Sequence, residues 1–151
     1  MEPFYKEAKL IELENVLTSW LNTPFRHGCG VKGRGADCGT FVLRVLEETK
    51  FTNKPYKIPF YASDWFRHKG DDRMLNWMIT NIPHEELKAP EDGCIMLFHF
   101  GRLTSHSAIY LNGHLYHSLN RIGVKKSAYR GCPWSRRDRL KLILRPVREE
   151  S

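Results

Sequence analysis

A cysteine attacks a carbonyl carbon as its thiolate, with a base to take the proton and N–H donors to receive the charge that develops on oxygen. Cys38, in Asp37-Cys38-Gly39-Thr40-Phe41, lies where a helix should begin. Asp37 is a residue type that caps a helix start by accepting backbone N–H bonds, and Phe41, Val42, Val45 and Leu46 keep helical spacing from there to Glu48. Unpaired N–H groups in a first helical turn favour a thiolate and point donors at an oxyanion. On position alone, a small buried core residue fits Cys38 equally well. The distinction rests on whether a histidine can be brought to it.

A hairpin provides that test. Asn112-Gly113 is the preferred pair for a two-residue type I′ turn, so Leu111 should pair with His114, Tyr110 with Leu115, Ile109 with Tyr116, Ala108 with His117 and His106 with Leu119. Side chains alternate along a strand, which puts His106, Ala108, Tyr110, Leu115, His117 and Leu119 on one face. His114 points the other way with Ile109 and Tyr116 and reads as an ordinary polar strand residue. His106 and His117 become diagonal neighbours about 7 Å apart at the backbone, within reach of an imidazole–imidazole hydrogen bond. The spacing predicts His106 as the base for Cys38 and His117 as the group that fixes its tautomer and orientation.

These residues must be held by the elements around them. The chain has 151 residues, 41% apolar and 12% aromatic, which excludes disorder and suits a single domain over 1–151 with a packed core. No apolar run approaches the roughly 20 residues of a spanning helix, and Met1-Glu2-Pro3 lacks the basic-then-apolar order of an export signal, so synthesis as a soluble cytosolic protein without a membrane span is expected. Cys29, Cys38, Cys94 and Cys132 contain no CxxC pair and read as free thiols; neither a metal nor a cofactor is called for. Arg130, Arg136, Arg137, Arg139, Lys141, Arg145 and Arg148 concentrate the net charge of +7 late in the chain, as a solvated basic face suited to an anionic partner. No zinc-finger or stacking-aromatic motif accompanies them, so nucleic-acid binding is not expected.

Leu10, Leu13, Leu17 and Trp20 predict a first helix between Phe4 and Leu21, ended by Thr23-Pro24. The glycine-rich stretch from Gly28 to Gly35 predicts an irregular loop leading to the helix that starts at Cys38. The segment from Phe51 to Pro90 reads as loop-rich cover around a short helix from Asp71 to Ile82, with Met74, Leu75, Met78 and Ile79 on one face. Four β-rich runs follow: Cys94 to Phe98, Ser105 to Leu111, His114 to Leu119 and Leu140 to Leu144. Helices first and strands afterwards predict an α+β domain with an antiparallel sheet.

Thr23-Pro24-Phe25-Arg26-His27, Gly35-Ala36-Asp37-Cys38-Gly39-Thr40-Phe41-Val42, Ala89-Pro90-Glu91-Asp92-Gly93, His106-Ser107-Ala108-Ile109-Tyr110-Leu111 and Tyr116-His117-Ser118 occur in an order that resembles the NlpC family of papain-like cysteine peptidases. Lys32-Gly33-Arg34-Gly35, Tyr61 to His68 and Phe98-His99-Phe100-Gly101-Arg102 look like the branch found in phage tails and phage-derived gene-transfer particles. The resemblance implies a papain-like NlpC fold, N-terminal helices packed on a small antiparallel sheet, with Cys38, His106 and His117 as the catalytic triad. It implies hydrolysis of peptidoglycan stem-peptide amides, typically between γ-D-glutamate and a diamino acid, through a thioester on Cys38, with tail-tip proteins as partners and the cell wall as the place of action. Phe25, Arg26, His27 and Asp37 are the substrate-binding candidates. The sequence departs from the family where Phe25 replaces its usual Tyr and Gly39-Thr40 its usual Ser-Gly. The alternative is a catalytically silent structural or assembly subunit of a tail tip with the same fold.

Overall fold

The computed structural model describes residues 2–57, 73–100, 103–136 and 138–148. Two helices come first, α1 (Ala8–Trp20) and α2 (Cys38–Glu48), followed by a third, α3 (Arg73–Asn81). A two-stranded ribbon, β1 (Gly30–Val31) with β2 (Gly35–Ala36), joins the first two. The main sheet consists of β3 (His84–Leu87), β4 (Ile95–Phe100), β5 (Leu103–Leu111), β6 (His114–Leu119), β7 (Gly123–Ala128) and β8 (Leu140–Pro146), in the order β3-β8-β4-β5-β6-β7 with every pair antiparallel. The α+β reading is correct.

Strand alternation divides the core between the two faces of this sheet. Leu13, Leu17 and Trp20 of α1 and Phe41, Val42, Val45 and Leu46 of α2 pack in one cluster with Ile95, Leu97, Ile109, Tyr116 and Leu144. Residues of the opposite parity, Met96, Phe98, Ala108, Leu115 and Ile143, form a second cluster covered by Tyr129, Cys132 and Trp134. The hairpin has the predicted register from the turn outward, Leu111 opposite His114, Tyr110 opposite Leu115 and Ile109 opposite Tyr116, and its ladder ends there, short of the expected Ala108–His117 and His106–Leu119 pairs. Asn112 and Gly113 take φ of 51° and 78°, the left-handed pair that a type I′ turn requires.

Several expectations change. The first helix starts at Ala8, not Phe4, because Pro3 bridges Val147 and the Phe4 N–H donates to the Pro146 carbonyl (2.8 Å), holding Phe4 and Tyr5 in the core as an extended lead-in. The glycine stretch is not wholly irregular: Gly33 at φ 81° turns the chain so that β1 and β2 pair. Helix α3 buries Met74, Leu75 and Met78, whereas Ile79 is exposed and the half-buried Trp77 packs edge-on against Tyr56. The late cations are not simply solvated, since Arg145 pairs with Glu91 and Glu85 and the guanidinium of Arg148 rests over Phe4. The segment from Tyr61 to His68, with Trp65 and His68, lies outside the described residues.

Strands β3 and β7 escape the sequence reading. Both are edge strands, and His84-Glu85-Glu86-Leu87 and Gly123-Val124-Lys125-Lys126-Ser127-Ala128 carry too few apolar residues to show alternation. Strand β7 is fastened to the chain before β1: the Val124 N–H donates to the Thr23 carbonyl (2.9 Å) and the Asn22 N–H to the Val124 carbonyl (3.0 Å). Gly123 makes this approach possible, with φ of 101° and an ideal Cβ that would stand 2.5 Å from the Thr23 oxygen. Gly123→Ala is expected to lower unfolding stability by about 1–3 kcal/mol, through both the left-handed backbone and the collision. Urea denaturation measures this, and an unchanged midpoint would refute it.

Candidate active site

The cap of α2 is fully formed. The Asp37 carboxylate accepts from the Thr40 N–H (2.9 Å), and the Asp37 N–H donates to the Thr40 hydroxyl (2.9 Å). The other Asp37 oxygen accepts from the Gly28 N–H (2.7 Å), and the Thr40 hydroxyl donates to the Cys29 carbonyl (2.5 Å), so the residues that start the helix also hold the glycine-rich stretch against it. Burial holds the Asp37 carboxyl above its usual range, against the Thr40 and Gly28 N–H groups and the nearby His27. Both its oxygens are thus engaged inside the chain.

Two buried serines dock this helix start on the hairpin. Ser107 of β5 donates its hydroxyl to the Cys38 carbonyl (2.8 Å), and Ser118 of β6 donates to the Ala36 carbonyl (2.7 Å). Each follows a histidine, so neighbouring positions on β5 and on β6 supply a hydroxyl that docks the helix start and, beside it, an imidazole. The histidines meet: Nε2 of His106 lies 2.8 Å from Nδ1 of His117, and Nε2 of His117 lies 2.9 Å from the Ser127 hydroxyl on β7. One proton order suits a base. If His106 donates from Nε2 to His117, and His117 donates from Nε2 to Ser127, the lone pair of His106 Nδ1 is available to accept a proton. The serines and β7 were missed by sequence reasoning; the His-Ser repeat at 106–107 and 117–118 was the signal that could have found the two docking hydroxyls.

The electrostatics differ from the helix-dipole expectation for Cys38. The side chain is buried, and burial pushes its thiol up to about 12, aided by the Asp37 carboxylate and opposed by hydrogen bonds with Ser107 and from the Gly39 N–H. The helix start does pull in the expected direction, but removal of water outweighs it. Burial, reinforced by His117, also holds His106 well below its ordinary value, and burial lowers His117 to about 4. Thiol and imidazoles are therefore all neutral at pH 7.

The remaining candidates lie just ahead of Cys38. Phe25 is half-buried and bridges Ala36, while Arg26 and His27 are exposed. The Arg26 N–H donates to the Ala36 carbonyl (3.2 Å), and its side chain covers Gly35, where an added Cβ would stand 2.7 Å from it. None of the four cysteines forms a disulfide.

No family model matches this sequence, and neither does any curated protein. Solved structures nevertheless share its architecture. A Staphylococcus aureus subsp. aureus Mu50 protein, described as similar to lipoprotein and of the NLP/P60 family, superposes over 99% of this chain with a TM-score of 0.61 at 17% identity. The NlpC/p60 domain of the peptidoglycan hydrolase SagA superposes over 89% of it with a TM-score of 0.58 at 14% identity. The chain has the NlpC/P60 fold. It spans 45% of the length of the S. aureus protein and 97% of the SagA domain.

The buried histidine pair predicts a pH-dependent stability. An unfolded histidine protonates near pH 6.5, whereas both folded rings resist protonation, so the unfolded chain binds more protons as the pH falls. Stability is full above about pH 6.5 and declines toward pH 4, where His117 itself protonates. Melting temperature should drop between pH 7 and 5, and His117→Asn should flatten that drop. Parallel melting profiles for the two proteins would refute the account.

Proposed function

We propose that this protein is a cysteine peptidase that hydrolyses peptidoglycan stem-peptide amides, with Cys38 as nucleophile, His106 as base and His117 as its orienting partner. The observation that carries the reading is the hydrogen-bond chain from His106 through His117 to Ser127, buried at the histidine pair, together with the serine beside His106 that docks the helix start of Cys38. The fold supports it, since one structural neighbour is the NlpC/p60 domain of a peptidoglycan hydrolase.

In the reaction, His106 takes the Cys38 proton as sulfur adds to the amide carbonyl carbon, and the oxyanion is received by the backbone N–H of Cys38 at the start of α2. His106 then gives that proton to the leaving nitrogen as the C–N bond breaks, which leaves a thioester on Cys38. A water molecule, deprotonated by His106, attacks the thioester, and the departing sulfur recovers the proton. Throughout, His117 accepts from His106 Nε2 and stabilises the transient imidazolium. Phe25, Arg26 and His27 contact the substrate on the approach to Cys38, and the exposed Arg26 suits a stem-peptide carboxylate. Asp37 acts from inside, by holding the helix start and the preceding loop together. The diamino-acid amide of γ-D-glutamate is the proposed scissile bond, and a phage tail or related particle the proposed carrier.

The neutral, buried thiol favours one second reading, a catalytically silent tail-tip subunit with this fold. Mass spectrometry of purified murein fragments after incubation separates the two. The wild type should cut within the stem peptide, Cys38→Ala should abolish the cut, and His106→Ala should slow it by about 10²-fold or more. No cleavage by folded wild-type protein, or full cleavage by Cys38→Ala, would overturn the proposal.

A further inference from the structure

His106 has a further neighbour that neither the hairpin register nor the family resemblance assigns. Beyond β7 a single 3₁₀ turn, Pro133–Ser135, brings Trp134 onto the outer face of the sheet. Its indole stacks on the His106 imidazole, with ring centroids 4.3 Å apart and planes inclined by 20°. Phe98 completes the surround, 5.9 Å from His106 and 5.5 Å from Trp134 between ring centroids. Only 5% of His106 is exposed. Its ring is thus fixed in plane by an aromatic face and along one edge by His117.

This arrangement bears on the charged form of the ring. When His106 takes up a proton it becomes a cation in a site that water scarcely enters, so fixed groups must replace hydration. His117 can accept one N–H at the ring edge, and the π-face of an indole attracts a cation lying over it, most strongly when the cation is desolvated. The guanidinium of Arg139, 5.2 Å from the Trp134 ring, holds the indole from the start of β8, and its positive charge is the opposing influence. An aliphatic side chain of similar bulk would exclude water as well, but it would offer the imidazolium nothing.

We propose that Trp134 is a positioning residue for His106, holding the imidazole plane and stabilising the imidazolium that forms when Cys38 gives up its proton. The proposal rests on the Cys38–His106 reading above. Its test reads the thiol directly: the rate of Cys38 alkylation by iodoacetamide at pH 7, followed by peptide mass spectrometry, in wild type, Trp134→Phe, Trp134→Leu and His106→Ala proteins whose folding is checked by melting. His106→Ala should slow alkylation tenfold or more, Trp134→Leu about tenfold and Trp134→Phe no more than about threefold, in line with a desolvated cation–π contact. Murein cleavage should follow the same order in kcat with KM unchanged. Trp134→Met gives the same comparison should the leucine variant fail to fold.

Wild-type alkylation in Trp134→Leu, or equal losses in the leucine and phenylalanine variants, would overturn the proposal, because cover alone would then suffice. Wild-type alkylation in His106→Ala would remove the thiol–imidazole reading together with it. The expected order of alkylation rates without any murein cleavage would uphold Trp134 while rejecting the peptidoglycan substrate.

Discussion

The site depends on two hydroxyl-to-carbonyl hydrogen bonds, Ser107 to Cys38 and Ser118 to Ala36, that hold the start of α2 on the β5–β6 hairpin. Both serines are buried, so neither bond competes freely with water. Because each serine directly follows a histidine, the register that seats the two hydroxyls on the helix start also brings the two imidazoles together. Docking and histidine pairing are therefore set by a single register. A slip of one residue between β5 and β6 would lose both, which makes the Asn112-Gly113 turn part of the site although it lies at the far end of the hairpin.

The consequence is a site assembled in its neutral form. Burial is the largest influence on the Cys38 thiol, on His106 and on His117, and for each it disfavours the charged species. Low dielectric strengthens whatever fixed partners remain, and those partners lie along one line from His106 through His117 to Ser127. The cap contributes to the same architecture. Asp37 binds the first turn of α2 and Gly28 together, so the loop bearing Phe25, Arg26 and His27 and the helix bearing Cys38 are positioned by one carboxylate.

The parts that could be read from the sequence were those governed by local rules. Asp37 followed by a 3.6-residue apolar period located α2 to its first residue, and Asn112-Gly113 specified the hairpin register and hence the shared face of His106 and His117. What escaped depended on partners distant in sequence. Strand β7 is polar because it is an edge strand, so Ser127 gave no sign that it would meet His117, and Trp134 reaches His106 from a single 3₁₀ turn with no periodicity of its own. The thiol's position at a helix start was equally readable, but its burial was not, since that follows from how α2 lies against the sheet.

The central claim is that the Cys38 thiol and the His106 ring exchange a proton. Nitrogen-15 NMR of labelled histidine rings, recorded across the pH range in wild type and Cys38→Ala, tests it most directly. Coupled groups predict that the His106 ring responds to ionisation of the thiol at alkaline pH, and that this response vanishes when the sulfur is removed. Superimposable His106 titrations in the two proteins would contradict the account.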